Sequence, residues 1–451
     1  MTQPAISPVK DTKAGLGYAW YVVVVLTAIY MLSFVDRQIL SLLVGPIKRD
    51  LGISDTRIGL LQGLSFALFY TVMGLPLGRL ADKRNRRNLI SACILVWSLF
   101  TGMCSAAKSF WSLFLTRIGV GIGEAGLSPA AYSMLSDYFP SEKLGVAISV
   151  YYMGVFLGSS AALLVGGTVV DALARTPLLT LPLLGTIASW RVTFLLVGLP
   201  GLIFAALVYT VREPLRRDLM KAADGRTAQL SLSQTFAEMG RRWTSLIGLS
   251  FVTVFQALAN YALMAWSPTF FIRVHGWTAG QAGRALAWIL VSAGCAGMYL
   301  GGVMSDRWLK RGMAEAPLRV AVLSALGTAV FLPAALMMPQ AGWTLAILVP
   351  GVFFLALPMG IVVAAVQRIF PNQVRGQVSA LLLFLLNLGG LSLGPLLPGV
   401  FNDYLFHNGK MVGYSIALTI AGSAVLMLLA ALVTFRPYRG HYHAMQTVAG
   451  R

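Results

Sequence analysis

Four ionisable residues stand inside stretches that are otherwise apolar: Asp36 and Arg37 within 18–45, and Arg117 and Glu124 within 110–138. A charge near the bilayer midplane costs about 2.5–3.5 kcal/mol on insertion scales, so such residues normally line a cavity and face a partner. Asp36 and Arg37 are adjacent and project about 100° apart on a helix, toward different neighbours. Arg117 and Glu124 are seven positions apart, which puts them on one face, separated by about 10 Å in depth. Gly119, Gly121 and Gly123 lie between them and leave room for the close approach of a helix or a substrate. Residue type then divides the chemistry. Asp36 and Glu124 can take up and release protons, with burial and a nearby arginine pulling their proton affinity in opposite directions. Arg37 and Arg117 keep their charge and suit an anionic group, or the neutralisation of one carboxylate at a time. The alternative is an ion-pair network that only holds the first span against the fourth, but buried pairs are weak sources of stability. The functional reading expects all four groups to be wetted together.

These residues must be positioned by elements that lipid, not water, dissolves. Of 451 residues 57% are hydrophobic and 11% charged, against about 25% charged in ordinary soluble domains. At about 20 residues per crossing, that composition excludes a single-anchor enzyme. Twelve apolar stretches lie near 18–45, 58–80, 88–107, 110–138, 144–170, 190–211, 245–272, 278–305, 317–338, 343–369, 376–404 and 411–435. The expected fold is an all-α membrane protein of twelve transmembrane helices in two pseudo-symmetric six-helix bundles, 1–211 and 245–451, the second with a cytoplasmic tail. The stretch 212–244 carries seven basic residues and reads as a cytoplasmic linker. Leu232, Phe236, Met239 and Trp243 recur there at helical spacing beside Arg241 and Arg242, the pattern of a short helix on the membrane surface; a disordered loop is the alternative. The net charge of +19 needs no nucleic-acid partner, because basic residues collect on the cytoplasmic side of membranes. With both termini cytoplasmic, 24 Lys and Arg fall on that side and 9 outside. A multi-pass protein of the cell inner membrane is expected, with its first span retained in the mature chain. Cys93, Cys104 and Cys295 lie in apolar runs and give no disulfide framework.

The halves repeat. Gly78-Arg79-Leu80-Ala81-Asp82-Lys83 leaves the second stretch, and Gly302-Val303-Met304-Ser305-Asp306-Arg307 leaves the eighth, with Gly, Asp and a base at the same intervals. Pro140 and Gly145 before the fifth match Pro371 and Gly376 before the eleventh, at nearly the same offset as the first pair of motifs. Duplication about an axis along the membrane normal explains both. The two Gly-x-x-x-Asp motifs are expected to gate: Asp82 or Asp306 facing a helix N-terminus of the opposite half, Lys83 or Arg307 crossing the loop, and Arg86 keeping the motif's basic end. A basic loop that only sets topology is the alternative. Gly154-x-x-x-Gly158 and Gly390-x-x-x-Gly394 read as close packing before hinge. The second half adds Gln256, Asn260, Tyr261, Trp266, Gln367 and Asn387 in apolar surroundings, a wall that suits an acyl chain.

Twelve spans, the basic central loop and the paired motifs resemble the major facilitator superfamily over essentially the whole chain. Lys83 and Asn85 depart from its usual Arg and Gly. Phe34-Val35-Asp36-Arg37-Gln38-Ile39-Leu40, Gly59-Leu60-Leu61-Gln62-Gly63 and the run Arg117 to Ala125 look like a bacterial spinster-type transporter. That resemblance implies a proton-coupled, alternating-access transporter, with Asp36 and Glu124 coupling protons and Arg37 and Arg117 binding substrate. The substrate implied is a small organic anion or an amphiphile such as a lysolipid or sphingolipid. A non-lipid organic anion or drug is the alternative. No cofactor, metal or nucleic acid is expected; the partners are substrate, protons and membrane lipid, and the chain is expected to be a monomer. An intramembrane enzyme is disfavoured because His275, His407, His441 and His443 all fall outside the spans. A channel is disfavoured because duplicated halves suit rocking about a central site.

Overall fold

The computed structural model describes residues 16–176, 178–181, 185–216 and 232–449. Eleven helices are long and apolar enough to cross a membrane: Leu16–Leu42 (span 1), Asp55–Lys83 (span 2), Arg86–Ala106 (span 3), Lys143–Ala174 (span 5), Ser189–Thr210 (span 6), Trp243–His275 (span 7), Ala279–Lys310 (span 8), Ala316–Leu336 (span 9), Ala341–Ile369 (span 10), Gln377–Leu405 (span 11) and Gly409–Gln446 (span 12). Span 4 is made of two pieces, Phe110–Glu124 and Leu127–Tyr138, joined by a turn at Ala125 and Gly126. Neither piece alone reaches the roughly 20 residues a crossing needs, and together they do. Span 3 packs closely on both sides of the break: a Cβ on Gly123 would sit 2.5 Å from the Trp97 backbone nitrogen, and one on Gly126 2.6 Å from Cys93 Sγ.

The repeat is visible in the helix defects. Span 10 is interrupted between Ala356 and Ile361, with Gly360 at a φ of 82°, as span 4 is at Ala125. Spans 5 and 11 widen into π turns at Ala162–Gly166 and Leu386–Leu391, whose first residues are offset by the same interval as Gly78 and Gly302 of the two motifs. Gly158 packs on span 1, where a Cβ would meet the Met31 carbonyl at 2.5 Å, and Gly390 packs on span 7, where it would meet Ala257 at 2.4 Å. Both small-residue pairs therefore do the packing expected of them.

Three features depart from the sequence reading. A hairpin of Leu178–Leu181 and Gly185–Ala188 joins spans 5 and 6, with Leu178 opposite Ala188 and the Thr180 and Thr186 hydroxyls 3.0 Å apart. The linker contains the helix Leu232–Arg241, but Met239 turns onto the core of the second half and Trp243 opens span 7. The last helix continues to Ala449, well past the expected end at 435, because its tail docks: Tyr438 donates to the Ala365 carbonyl at 3.2 Å and Arg439 reaches Glu315 at 2.9 Å.

Buried apolar side chains form one core shared by both halves on the side away from the two motifs, from Ile39 and Leu61 through Leu163 to Trp266 and Phe270. On the motif side each half has its own core, around Trp97 in the first, joined there by Leu391 of the second, and around Phe370 in the second. The molecule is closed on the far side and open on the motif side.

Candidate functional site

Span 1 carries Arg37 to span 4. Its Nε donates to Glu124 Oε2 at 2.7 Å, with Nη2 2.6 Å from the same oxygen. The guanidinium lies 4.8 Å from the Phe34 ring centroid, 4.4 Å from Phe66 and 4.8 Å from Tyr70, so cation–π attraction adds to the ion pair. Asp36 points elsewhere, as the separation of adjacent helical side chains requires. It is buried beside the Thr101 hydroxyl and within the field of Arg117, but neither carboxylate oxygen takes a hydrogen bond within 3.5 Å among the described residues. Arg117 donates instead to the Asp36 backbone carbonyl at 3.4 Å, and its Nε is without a partner. The quartet thus holds one formed ion pair and two further charges kept near each other but not joined.

Gly119, Gly121 and Gly123 seat span 4 on its neighbours. Added Cβ atoms would come within 2.2 Å of Phe100, 2.6 Å of the Phe66 carbonyl and 2.5 Å of the Trp97 nitrogen. The close approach is by spans 2 and 3, not by a ligand.

Arg37 and Arg117 line a chamber between the halves, together with Gln38, Gln62 and Phe66 from the first half and Tyr261 from the second. Asp36 and Glu124 are not among its lining residues, and like Arg117 each is only 1% exposed. The expectation that all four groups share one wetted space is corrected: both arginines and the Phe66 ring line the chamber, and Glu124 is held behind Arg37. A second, apolar chamber includes Phe156, Leu163, Leu286 and Val352, and both chambers touch Gln38 and Met264. These two residues are joined by a 2.8 Å bond from Gln38 Nε2 to the Met264 carbonyl. Of the polar residues expected on the greasy wall, Gln256 bonds the Leu355 carbonyl at 3.2 Å and Trp266 the Pro395 carbonyl at 2.7 Å, so both serve helix packing. Gln367 is exposed, while Asn260 and Tyr261 reach the chambers.

On the motif side Asp82 and Lys83 are exposed and their side chains have no hydrogen bond or ion pair among the described residues. Asp306 lies 3.5 Å from Arg368 of its own half, and Arg307 is exposed. Gly302 has nothing within 4 Å of an added Cβ, and Gly78 only Pro129 at 3.8 Å. The expected cross-half contacts are not made in this open arrangement. Arg86 is a correction of another kind: it is buried, and it binds Asp137 and Ser133 of the first half and, at 2.7 Å, Glu213 of the linker. It clamps span 3 to the end of span 4 and the chain after span 6.

The far side holds residues that the sequence reading missed. Asp55 is fully buried at the start of span 2, where it takes Arg273 of span 7 at 2.7 and 2.8 Å, Lys48 at 2.8 Å and Asn402 at 3.1 Å. Asp403, at the end of span 11, accepts from the backbone nitrogens of Asp55 and Thr56 at 3.2 and 2.6 Å, capping span 2 from the opposite half. The mirror-image contact exists. Asp171, at the end of span 5, accepts from the Thr278 hydroxyl at 2.6 Å at the start of span 8. The available signal was that Ser54 and Thr278, the capping residues of spans 2 and 8, are offset by the interval that separates the two motifs.

Two helical bundles around a charged central chamber, closed at one face and open at the other, define a membrane transporter and not an enzyme. The chain belongs to the Major Facilitator Superfamily, whose sequence model matches residues 26–395. It is 30% identical over 446 residues to an MFS-type efflux pump of Mycolicibacterium smegmatis, covering 95% of this chain and 94% of that one. It is 27% identical over 425 residues to the hexuronate transporter of Bacillus subtilis, covering 91% and 93%. A bacterial homolog of the human lysosomal transporter spinster, solved in an inward-facing and unoccupied conformation, superimposes with a TM-score of 0.79 at 27% identity, covering 96% of this chain and 99% of that one. The spinster-type resemblance and the two-bundle helical fold expected from the sequence stand.

Proposed function

We propose that this chain is a proton-coupled, alternating-access transporter of an organic anion in the cell inner membrane, with both termini and the two motifs on the cytoplasmic side. The observation that carries it is the Arg37–Glu124 ion pair placed at the chamber wall, with the cation toward the chamber and the acid behind it. Protonation of Glu124 cancels its hold on Arg37, and the freed guanidinium then engages an anionic group with Arg117. Loss of the proton returns Arg37 to Glu124 and releases the anion. Asp36, with both oxygens unbonded beside Arg117, supplies the second exchangeable proton and sets how far Arg117 is neutralised. The acids are shielded while the molecule is open on the motif side, so proton exchange accompanies movement of the arginines and not simple wetting.

The basic excess on the motif side supports the orientation, and the hexuronate transporter supports an organic anion. An amphiphilic lipid is the second reading. It is favoured by the apolar chamber beyond Gln38 and Met264, which could take a chain whose head lies at the arginines.

Proteoliposomes holding a pH-sensitive dye and given a D-glucuronate gradient test the coupling. Wild-type protein is expected to move protons with the anion, and Glu124→Gln and Asp36→Asn to lose proton-driven flux. Full proton-driven transport by both variants rules the scheme out.

A further inference from the structure

The ion pair does not use all of the polarity gathered around Arg37. Tyr70 lies over its guanidinium at 4.8 Å, and Tyr261 lines the same chamber as Arg37. Neither hydroxyl has a hydrogen bond among the described residues. The Tyr70 ring is held in place by stacking on Phe66 at 5.2 Å. Gln62 lines the same chamber, and both its Nε2 and Oε1 are buried without a partner. It directly precedes Gly63, where span 2 leaves helical geometry so that its backbone can approach the Ser392 carbonyl of the opposite half. Gln62 and Tyr261 come from different halves, so this set of groups spans the interface that alternating access opens and closes.

We propose that Gln62, Tyr70 and Tyr261 form a neutral subsite for hydroxyl groups beside the two arginines, and that the transported anion is a polyhydroxylated carboxylate. This rests on the organic-anion reading above and narrows it. An amide and a phenol each both donate and accept, and so does an alcohol. A carboxylate seated on Arg37 therefore brings hydroxyls on its neighbouring carbons to partners of either sense. An acyl chain in the same place leaves Gln62 and the phenols unpaired, which buried polar groups do not tolerate without loss. Sites built to bond a hydroxyl discriminate against the analogue lacking it far more strongly than apolar pockets discriminate against an added one.

Calorimetric titration of purified protein in lipid nanodiscs with D-gluconate and with hexanoate, acids of equal carbon number, tests the subsite. Gluconate is expected to bind at least about 100-fold more tightly. Tyr70→Phe and Tyr261→Phe, which keep the rings, are each expected to weaken gluconate about tenfold and leave hexanoate unchanged; Gln62→Leu is expected to narrow the ratio further. Unchanged hexanoate affinity and thermal unfolding show that each variant is intact. If hexanoate binds as well as gluconate, or the phenylalanine variants weaken both acids alike, the subsite is wrong and the anion reading survives. If neither acid binds the wild-type protein, both fall.

Discussion

Arg37 and Glu315 show the two uses this chain makes of a charge withdrawn from water. Arg37 keeps part of its guanidinium at the chamber, under three aromatic rings, while Glu124 holds it from behind. Glu315 lies outside the spans, at the start of span 9, and does structural work. Burial favours its neutral form, but Arg319 at 2.8 Å and Arg439 at 2.9 Å outweigh that and hold its carboxylate down to about 2. An ordinary glutamate titrates near about 4.3. With the folded value below the unfolded one, its contribution to stability is complete above about pH 4.3 and fades as pH falls toward 2. Because both arginines are about half exposed, the effect is on the order of 1 kcal/mol. Glu315→Gln is therefore expected to lower the melting temperature in detergent by a few degrees at pH 7, with the gap closing between pH 4 and pH 2.5. The quartet itself was legible, since four charges in apolar runs are visible without coordinates. Its layering was not. That Phe66 would line the chamber with the arginines depends on span 2, which carries no charge in that stretch to announce its contact.

At the scale of the helix, acidic side chains join the two halves across the far side. Each half extends an acid from the end of its fifth span, Asp171 or Asp403, over the start of a helix in the other half, where the positive end of the helix dipole favours it. The two latches differ in strength. Asp403 caps a start that also holds the buried Asp55–Arg273 pair, whereas Asp171 meets an exposed threonine hydroxyl. Breaking a buried pair from one side costs about 3–5 kcal/mol because the remaining charge loses its partner. Asp55→Asn is expected to shift the population strongly toward the far-side-open state, and Asp171→Asn only slightly, as read from spin-label distances across the far face. Equal distance distributions in Asp55→Asn and wild type would remove the latch. Both helix starts could be read from their capping residues. Their partners could not, because an acid at the end of one predicted span gives no sign of which helix it will reach.

The whole molecule is two bundles that share a core on one side and keep their own cores on the other. That asymmetry gives the motif glycines a function that can be tested in isolation. Gly302 has open space before it in this arrangement, so Gly302→Leu is expected to fold normally and to bind anion, yet to lose transport because the motif faces can no longer meet. Normal transport by that variant argues that the motif loop sets topology and nothing more. The fold was largely legible, because lipid requires long apolar runs and the duplicated motifs fixed the interval between halves. What escaped were features that hydropathy does not encode: the hairpin at Leu178–Leu181 and Gly185–Ala188, the docked final helix, and the broken fourth crossing. The last of these reaches beyond span 4 itself. A ruler that demands one unbroken greasy rod counts an odd number of passes and assigns every later loop to the wrong compartment. Reporter fusions after residue 138 that respond as an even count requires would restore the parity, and with it the side on which Arg439 and the tail are found.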